Sequence, residues 1–322
     1  MGKVKLAMHA AAGCGGCDVS VLDLHERILE VAGAAELLFW PMFCDGSVKD
    51  LEEYPDRHLD ASLFNGAIRN SEDEHMARLL RQKSRVLVAF GSCAHLGGIP
   101  GLANLNSLEE LLRVVYQDTP STVNPKKSRP TELYWMPPGE LRLPRMHGQV
   151  LALDEVVRVD QYLPGCPPAV EQLWALLRAI VQSELPPPGA VVGASNIALC
   201  DECERSKGEK RIKAFRDLAS FVPDPEVCFL EQGVICCGPA TRSGCGGRCG
   251  KANMPCRGCY GPPDDVEDQG AKLLSSIASV IDSDDPAEIG RIVEQVRDPA
   301  GTFYRYSLPS AFLSGACREE AS

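Results

Sequence analysis

The chain has 322 residues, which is enough for two domains of ordinary size. Its residues are 44% hydrophobic and 24% charged, as in a soluble globular protein, and no apolar run approaches the roughly 20 residues that span a bilayer. The net charge of -11 disfavours nucleic-acid binding, which normally depends on clustered Lys and Arg. We therefore expect neither membrane insertion nor a nucleic-acid partner.

The first half of the chain alternates strand-like and helix-like stretches. The predicted strands are residues 4–9, 37–43, 59–64, 86–90 and 156–163, and the predicted helices are 20–31, 72–81, 108–115 and 170–181. Residues 119–144 are rich in Pro, Lys and Ser, so they are expected to leave the sheet. This alternation predicts an α/β domain with a parallel sheet.

The clearest linker is the run from Pro186 to Gly189, because consecutive prolines neither continue a helix nor donate to a sheet. We place a boundary there, which gives domains 1–186 and 187–322. The second domain has a helix-like run at 206–219, a cysteine-rich and glycine-rich stretch at 228–261, and amphipathic helices at 271–281 and 287–296. It is predicted to be small, mostly helical and rich in loops.

Fifteen cysteines are the most unusual feature of the composition. The amino terminus, MGKVKLAMHAAAGCGGC, has no twin-arginine motif, leader-length apolar segment or small-residue cleavage site, so we expect a cytoplasmic protein. Disulfides are rare in that compartment, where thiols more often bind metals or take part in catalysis. Metal binding is therefore the leading explanation, and disulfides are a minor alternative.

A first group of cysteines follows the predicted strands, where loops of a parallel sheet converge. Its members are Cys14 and Cys17 in AAGCGGCDVS, Cys93 in AFGSCAHLGG and Cys166 in YLPGCPP. Glycines beside them allow close backbone approach and let amides point at sulfur. The pattern predicts one iron-sulfur cluster. Buried structural cysteines are the alternative, and a nucleotide-binding loop is disfavoured because GCGG lacks the required glycine spacing.

Two further groups lie in the second half. The second is Cys200, Cys203, Cys228 and Cys236, and the third is Cys245, Cys249, Cys256 and Cys259. Paired C-x-x-C motifs also suit zinc, but the crowded glycines and the first group favour iron-sulfur clusters. Cys44, Cys237 and Cys317 are predicted not to be ligands.

These motifs resemble small subunits of nickel-iron hydrogenases, and the resemblance covers nearly the whole chain. GCGGCDVS is similar to the first cluster motif, FNGAIRNSEDEHMARLLRQKSRVLVAFGSCAHLGGIPGLANL to the stretch with the third ligand, and LPGCPP to the fourth. EQGVICCGPATRSGCGG and NMPCRGCYGP resemble the medial and distal cluster region. The chain looks most like the cytoplasmic methyl-viologen-reducing type that associates with heterodisulfide reductase in methanogens and related anaerobes.

The resemblance implies a flavodoxin-like domain whose cluster is proximal to a nickel-iron centre in a separate large subunit. It implies three 4Fe-4S clusters that pass electrons from dihydrogen to a downstream partner, the candidates being a 2Fe-2S protein and heterodisulfide reductase. Periplasmic relatives have a histidine ligand where Cys200 stands and commonly a proline in place of one medial cysteine, whereas this chain supplies cysteines throughout. The resemblance also helps to choose Cys236 over the adjacent Cys237 as a ligand.

No residue of this chain is expected to act as an acid or base. His25 and His75 fall on predicted helices, where histidines are commonly solvated or packed, and His95 is a candidate for tuning the proximal cluster. Two alternative functions stay open. One is an electron-transfer subunit of a complex I-like oxidoreductase without hydrogenase activity, and the other is a zinc-stabilised scaffold without redox activity.

Overall fold

The computed structural model describes residues 2–209 and 211–312. In chain order, its strands are β1 (Val4–Ala10), β2 (Ala35–Phe39), β3 (Leu59–Asn65), β4 (Ile68–Asn70), β5 (Ser84–Phe90), β6 (Leu133–Met136), β7 (Gly139–Arg142), β8 (Met146–Leu151), β9 (Gln161–Leu163) and β10 (Ala190–Val191). Six of them form one sheet in the order β10-β9-β5-β3-β1-β2, and all neighbours in it are parallel. This is the flavodoxin order with one strand added at the edge. The predicted α/β fold is confirmed.

Helices of the first half of the chain pack on both faces of the sheet, and five further helices lie in the described part of the second half. In chain order they are α1 (Gly16–Leu22), α2 (Arg27–Ala34), α3 (Val48–Glu53), α4 (Ser71–Lys83), α5 (Ser92–Leu96), α6 (Leu108–Arg113), α7 (Val170–Gln182), α8 (Leu199–Glu202), α9 (Arg248–Lys251), α10 (Gln269–Ala278), α11 (Pro286–Val293) and α12 (Pro299–Phe303). Among the described residues, no helix is long and apolar enough to cross a membrane.

Both faces of the central sheet are buried. Successive side chains of a strand point to opposite faces, so Leu6 and Met8 join one core cluster while Ala7 joins the other. Helices α1, α2 and α7 cover the first face, and α3, α4 and α5 cover the second. Burial on both sides explains why the strands are continuous apolar runs in the sequence. Because the strands are parallel, the loops after β1, β5 and β9 leave the sheet at the same edge.

Several predicted elements differ from the structure. The helix predicted at 20–31 is two helices, α1 and α2, because His25 between them has a left-handed backbone with a φ of 52°. The strand predicted at 156–163 is restricted to β9, since Val156 and Val157 pack against the core from a turn instead of pairing in the sheet. Residues 119–144 leave the sheet as predicted and contain the exposed hairpin of β6 and β7.

The helix predicted at 206–219 is wrong, because the described residues of that range are irregular. Their backbone bonds go to distant segments: Ser206 N–H donates to the Glu226 carbonyl, and Arg216 N–H donates to the Gly233 carbonyl. The backbone groups of this segment therefore bond to distant partners instead of forming helical turns. Tertiary contacts override the helical pattern of its sequence. Helices α10 and α11 confirm the two predicted helices that follow.

The two halves of the chain are in contact. β10 follows the proline run and pairs with β9, so the sheet gains its last strand beyond the linker. On the other side, the Gly98 N–H donates to the Tyr306 carbonyl, and Ser310 Oγ donates to the Leu96 carbonyl. The segment at 306–310 therefore lies against the loop that follows α5.

Candidate iron-sulfur sites

The first group of cysteines lies at the edge of the sheet where the strands end. Cys14 and Cys17 flank the start of α1 after β1, Cys93 is in the first turn of α5 after β5, and Cys166 follows β9. Their thiols interact electrostatically, since Cys93, Cys166 and Cys14 each contribute to raising the pKa of Cys17. Three loops therefore bring four thiols to one place.

Burial is the main influence on the acidity of these thiols. It raises the pKa of Cys93 to about 12, and the neighbouring thiols of Cys166 and Cys14 add to the effect. Burial likewise raises the pKa of Cys17 well above its ordinary value. Iron held by these four cysteines would displace their thiol protons, because metals bind the thiolate, and its positive charge would stabilise the buried thiolates.

Two glycines allow the backbone to approach these thiols. A Cβ atom at Gly91 would lie 2.4 Å from Cys17 Sγ, and one at Gly98 would lie 2.6 Å from Cys93 Sγ. Both glycines have positive φ angles, 87° and 58°. The Ile99 N–H donates to the Cys93 thiol, and this bond favours its thiolate. The loop after β5 therefore has the close backbone and sulfur-directed amide expected around a cluster.

The four thiols of the second group line one cavity. It contains about 480 Å³ of atom-free space, part of it open to solvent, and its lining includes Cys200, Cys203, Cys228 and Cys236. Gly238 and Gly250 also line it, and a Cβ at Gly238 would lie 3.3 Å from Cys200 Sγ. Among the described residues, no group of three or more His, Cys, Asp or Glu is arranged to hold a single metal ion.

The third group is less compact. Burial raises the pKa of Cys259 to about 12, and the thiols of Cys249 and Cys245 add to this effect. Cys256 is displaced toward the second group, because its N–H donates to Cys236 Sγ at 3.3 Å and its side chain lines the same cavity. The structure thus brings three members of this group together and places the fourth between two groups.

Direct contacts connect the groups in the order first, third, second. Ser92 Oγ, beside Cys93, donates to the Cys259 carbonyl at 2.6 Å, and the Cys166 N–H donates to the Cys259 thiol. The Cys256 N–H donates to Cys236 Sγ. The third group therefore lies between the other two, an order that the sequence did not predict.

The cysteines predicted not to be ligands have other contacts. The Cys44 thiol accepts a bond from the Trp40 N–H at 2.9 Å and packs in the core. Cys237 Sγ faces the Thr302 carbonyl at 3.9 Å, whereas Cys236 lines the cavity. This geometry favours Cys236 as the ligand. Cys317 lies outside the described residues, and no disulfide joins any of the described cysteines.

The cavity of the second group fits an iron-sulfur cluster in its chemistry. Arg205 lines it and is 6% exposed, and its Nε–H has no hydrogen-bond partner. A buried unpaired donor is costly, and thiolate or sulfide would satisfy it. Four thiols are the ligands that a 4Fe-4S cluster takes, and an unpaired N–H beside them is a donor of the kind that bonds cluster sulfur.

The three candidate histidines lie in different surroundings. His95 is buried, its Nδ1 has no hydrogen-bond partner, and burial followed by the charge of Arg242 lowers its pKa to about 3. His75 is exposed on α4 and pairs with Glu52 at 3.6 Å. His25 lies between α1 and α2 and not on a helix.

Sequence reasoning missed two residues at these sites. The Tyr306 hydroxyl donates to the Cys166 thiol from a segment 140 residues away, and no motif marks it. Arg205 stands two residues after Cys203, and its position in DECER was the available signal. Tyr306 places a polar hydrogen at sulfur, and Arg205 lines the cavity of the second group. Polar hydrogens at sulfur are one way in which proteins adjust the potential of a cluster.

Comparison with known proteins identifies the family. Residues 14–180 match the family described as NADH ubiquinone oxidoreductase, 20 Kd subunit. The iron-sulfur subunit of the F420-non-reducing hydrogenase of Archaeoglobus profundus is 38% identical over 317 residues, covering 97% of this chain and 98% of that protein. The matching subunit of the vhu F420-non-reducing hydrogenase of Methanococcus voltae is 36% identical over 313 residues, covering 97% and 98% respectively.

A solved structure shares the fold. The [NiFeSe] hydrogenase of Desulfovibrio vulgaris Hildenborough includes a chain that superposes with a TM-score of 0.54 and 15% identity, over 82% of this chain and 96% of that one. The matches to these two relatives cover 97% of this chain, a length that includes the positions of all three cysteine groups. The chain therefore belongs to the family of F420-non-reducing hydrogenase iron-sulfur subunits.

Proposed function

We propose that this chain conducts electrons from dihydrogen oxidation in the large subunit through three 4Fe-4S clusters to a redox partner. The observation that carries the proposal is the continuous series of contacts from Cys166 to Cys259 and from Cys256 to Cys236. When bound, each cluster accepts and releases one electron at a time. The proposed domains are 1–186, with the cluster nearest the large subunit, and 187–322, with the other two.

The proposed ligands of the three clusters are the three groups of four cysteines. Cys14, Cys17, Cys93 and Cys166 hold the proximal cluster; Cys245, Cys249, Cys256 and Cys259 hold the middle one; and Cys200, Cys203, Cys228 and Cys236 hold the last. Cys14 and Cys166 are exposed, which suits a proximal cluster covered by the large subunit. Cys203 and Cys200 line a cavity with an opening to solvent, which suits delivery of electrons to a partner.

The downstream partner is proposed to be a 2Fe-2S protein or heterodisulfide reductase, and the location is proposed to be the cytoplasm. Relatives in Methanococcus and Methanothermobacter named as subunits of F420-non-reducing hydrogenases support a role in hydrogen-dependent metabolism of methanogens. A thiol-rich metal protein also suits a reducing compartment. The complex I-like alternative is disfavoured, because the shared family match ends at residue 180 whereas the hydrogenase relatives cover the later cysteines.

The test uses the complex purified without oxygen through a tag on this chain. We expect nickel to copurify in a large subunit, and dihydrogen to reduce all three clusters, as followed by visible bleaching and EPR. In Cys259→Ser, dihydrogen should still reduce the proximal cluster while the last cluster stays oxidised. Cys237→Ser is the matched control and should behave as wild type. A complex without nickel, or a Cys259→Ser variant with normal reduction of the last cluster, would contradict the proposal.

A further inference from the structure

Arg205 is held in a fixed position by four hydrogen bonds. Its Nη1 donates to the carbonyls of Asp224 at 2.7 Å and Val227 at 2.8 Å. Its Nη2 donates to the Gly250 carbonyl at 3.2 Å and to Asn253 Oδ1 at 2.6 Å. The guanidinium carbon also lies 3.8 Å from the centre of the Phe229 ring. These contacts fix the plane of the guanidinium and therefore the direction of its remaining donor.

That remaining donor lies beside the thiols of the second group. A Cβ atom added at Gly250 would lie 4.0 Å from Arg205 Nε and 3.8 Å from Cys203 Sγ, so both atoms border the same side of Gly250. Both side chains line the cavity that also holds Cys228 and Cys236. The four hydrogen bonds of Arg205 go to neutral acceptors, three carbonyls and the Asn253 amide oxygen. A buried cation thus faces the space that the proposed function assigns to the last cluster.

We propose that Arg205 sets the reduction potential of the last cluster, by donating its Nε–H to sulfur and by placing a buried positive charge there. This inference rests on the proposed function. One electron passes from the middle cluster, and no covalent bond forms or breaks. The added negative charge is stabilised by Arg205, so the last cluster becomes easier to reduce. The consequence is a downhill step toward the redox partner.

A purely structural role explains only part of the geometry. The four bonds from the two terminal nitrogens hold the loops at 224–227 and 250–253, and none of them involves Nε. A structural clamp leaves Nε buried without a partner, which costs free energy. A sulfur acceptor in the cavity removes that cost, so the tuning role accounts for all five N–H groups.

The test measures the potential of each cluster in the intact complex by EPR-monitored redox titration. In Arg205→Met, the reduced-to-oxidised ratio of the last cluster should fall about tenfold at a fixed potential, which corresponds to about 59 mV for one electron. The proximal cluster should not change. Arg211→Met is the matched control, because it removes an exposed arginine that pairs with Glu209 and Asp282 and does not line the cavity. Its last cluster should keep the wild-type potential.

A second measurement needs no substitution and applies if Arg205→Met fails to retain iron. Complex grown with ¹⁵N-arginine is reduced, and pulsed EPR selects the signal of the last cluster. We expect a ¹⁵N coupling from Nε. Absence of that coupling, or a fully loaded Arg205→Met with an unchanged potential, would overturn the inference. Because iron content and reduction by dihydrogen are measured separately in wild type, either result leaves the proposed electron transfer testable on its own.

Discussion

Substitution of Gly91 by alanine should remove the proximal cluster selectively. The new Cβ would lie 2.4 Å from Cys17 Sγ, far inside contact distance, so the thiol must move. Gly91 also has φ 87° and ψ 165°, a conformation almost restricted to glycine. That backbone costs an alanine about 1 to 3 kcal/mol, and displacing packed atoms costs about 1 to 3 kcal/mol more. We expect Gly91→Ala to destabilise the cluster-binding conformation by a total of about 2 to 6 kcal/mol. The displaced atoms belong to one proposed ligand, Cys17.

The assay is iron and acid-labile sulfide per chain, together with the EPR signals of the anaerobically purified protein. Gly91→Ala should contain about 8 iron atoms instead of about 12 and should keep the signals of the other two clusters. Gly15→Ala is the matched control in the same site. Gly15 has φ 76° but no atom within 4 Å of its added Cβ, so it incurs only about 1 to 2 kcal/mol of backbone strain. A Gly91→Ala protein with full iron and an unchanged proximal signal would refute the reasoning.

Two further predictions concern the second site and the core. Cys236→Ser should lose the last cluster while Cys237→Ser keeps it, because of the two only Cys236 lines the cavity. Iron content and EPR would distinguish the two variants. The opposite pattern would show that the ligand was misassigned. Burial lowers the pKa of His9, which lies between the rings of Phe39 and Phe64, to about 4. Between that value and the ordinary value near 6.5, the unfolded chain binds more protons, so stability falls as pH falls. Between about pH 7 and about pH 5, the unfolding free energy of wild type should fall by about 2 kcal/mol more than that of His9→Phe, as measured by denaturant titration. Equal losses of unfolding free energy in the two proteins would contradict the burial of His9.

Much of the first domain was predictable because its signals are local. The strands near 4–9, 59–64 and 86–90 are apolar runs of the right length, and the structure places β1, β3 and β5 there. Parallel pairing brings the loops after β1, β5 and β9 to the same edge of the sheet. For this reason Cys14, Cys93 and Cys166 could be grouped from sequence alone.

The second domain was less predictable because its backbone is satisfied by distant partners. Residues 206–219 have a helical pattern, but Ser206 pairs with Glu226 and Arg216 with Gly233. The position of Cys256 beside Cys236 depends on the path of two loops, so spacing alone could not order the last two groups. The same holds for Tyr306, whose hydroxyl reaches Cys166 from the far end of the chain.

The most direct test of the central claim is the content of iron, acid-labile sulfide and zinc in the anaerobically purified protein. Three 4Fe-4S clusters predict about 12 iron and about 12 sulfide per chain, with no stoichiometric zinc. Zinc without sulfide would contradict the account and leave the cysteine groups as structural zinc sites.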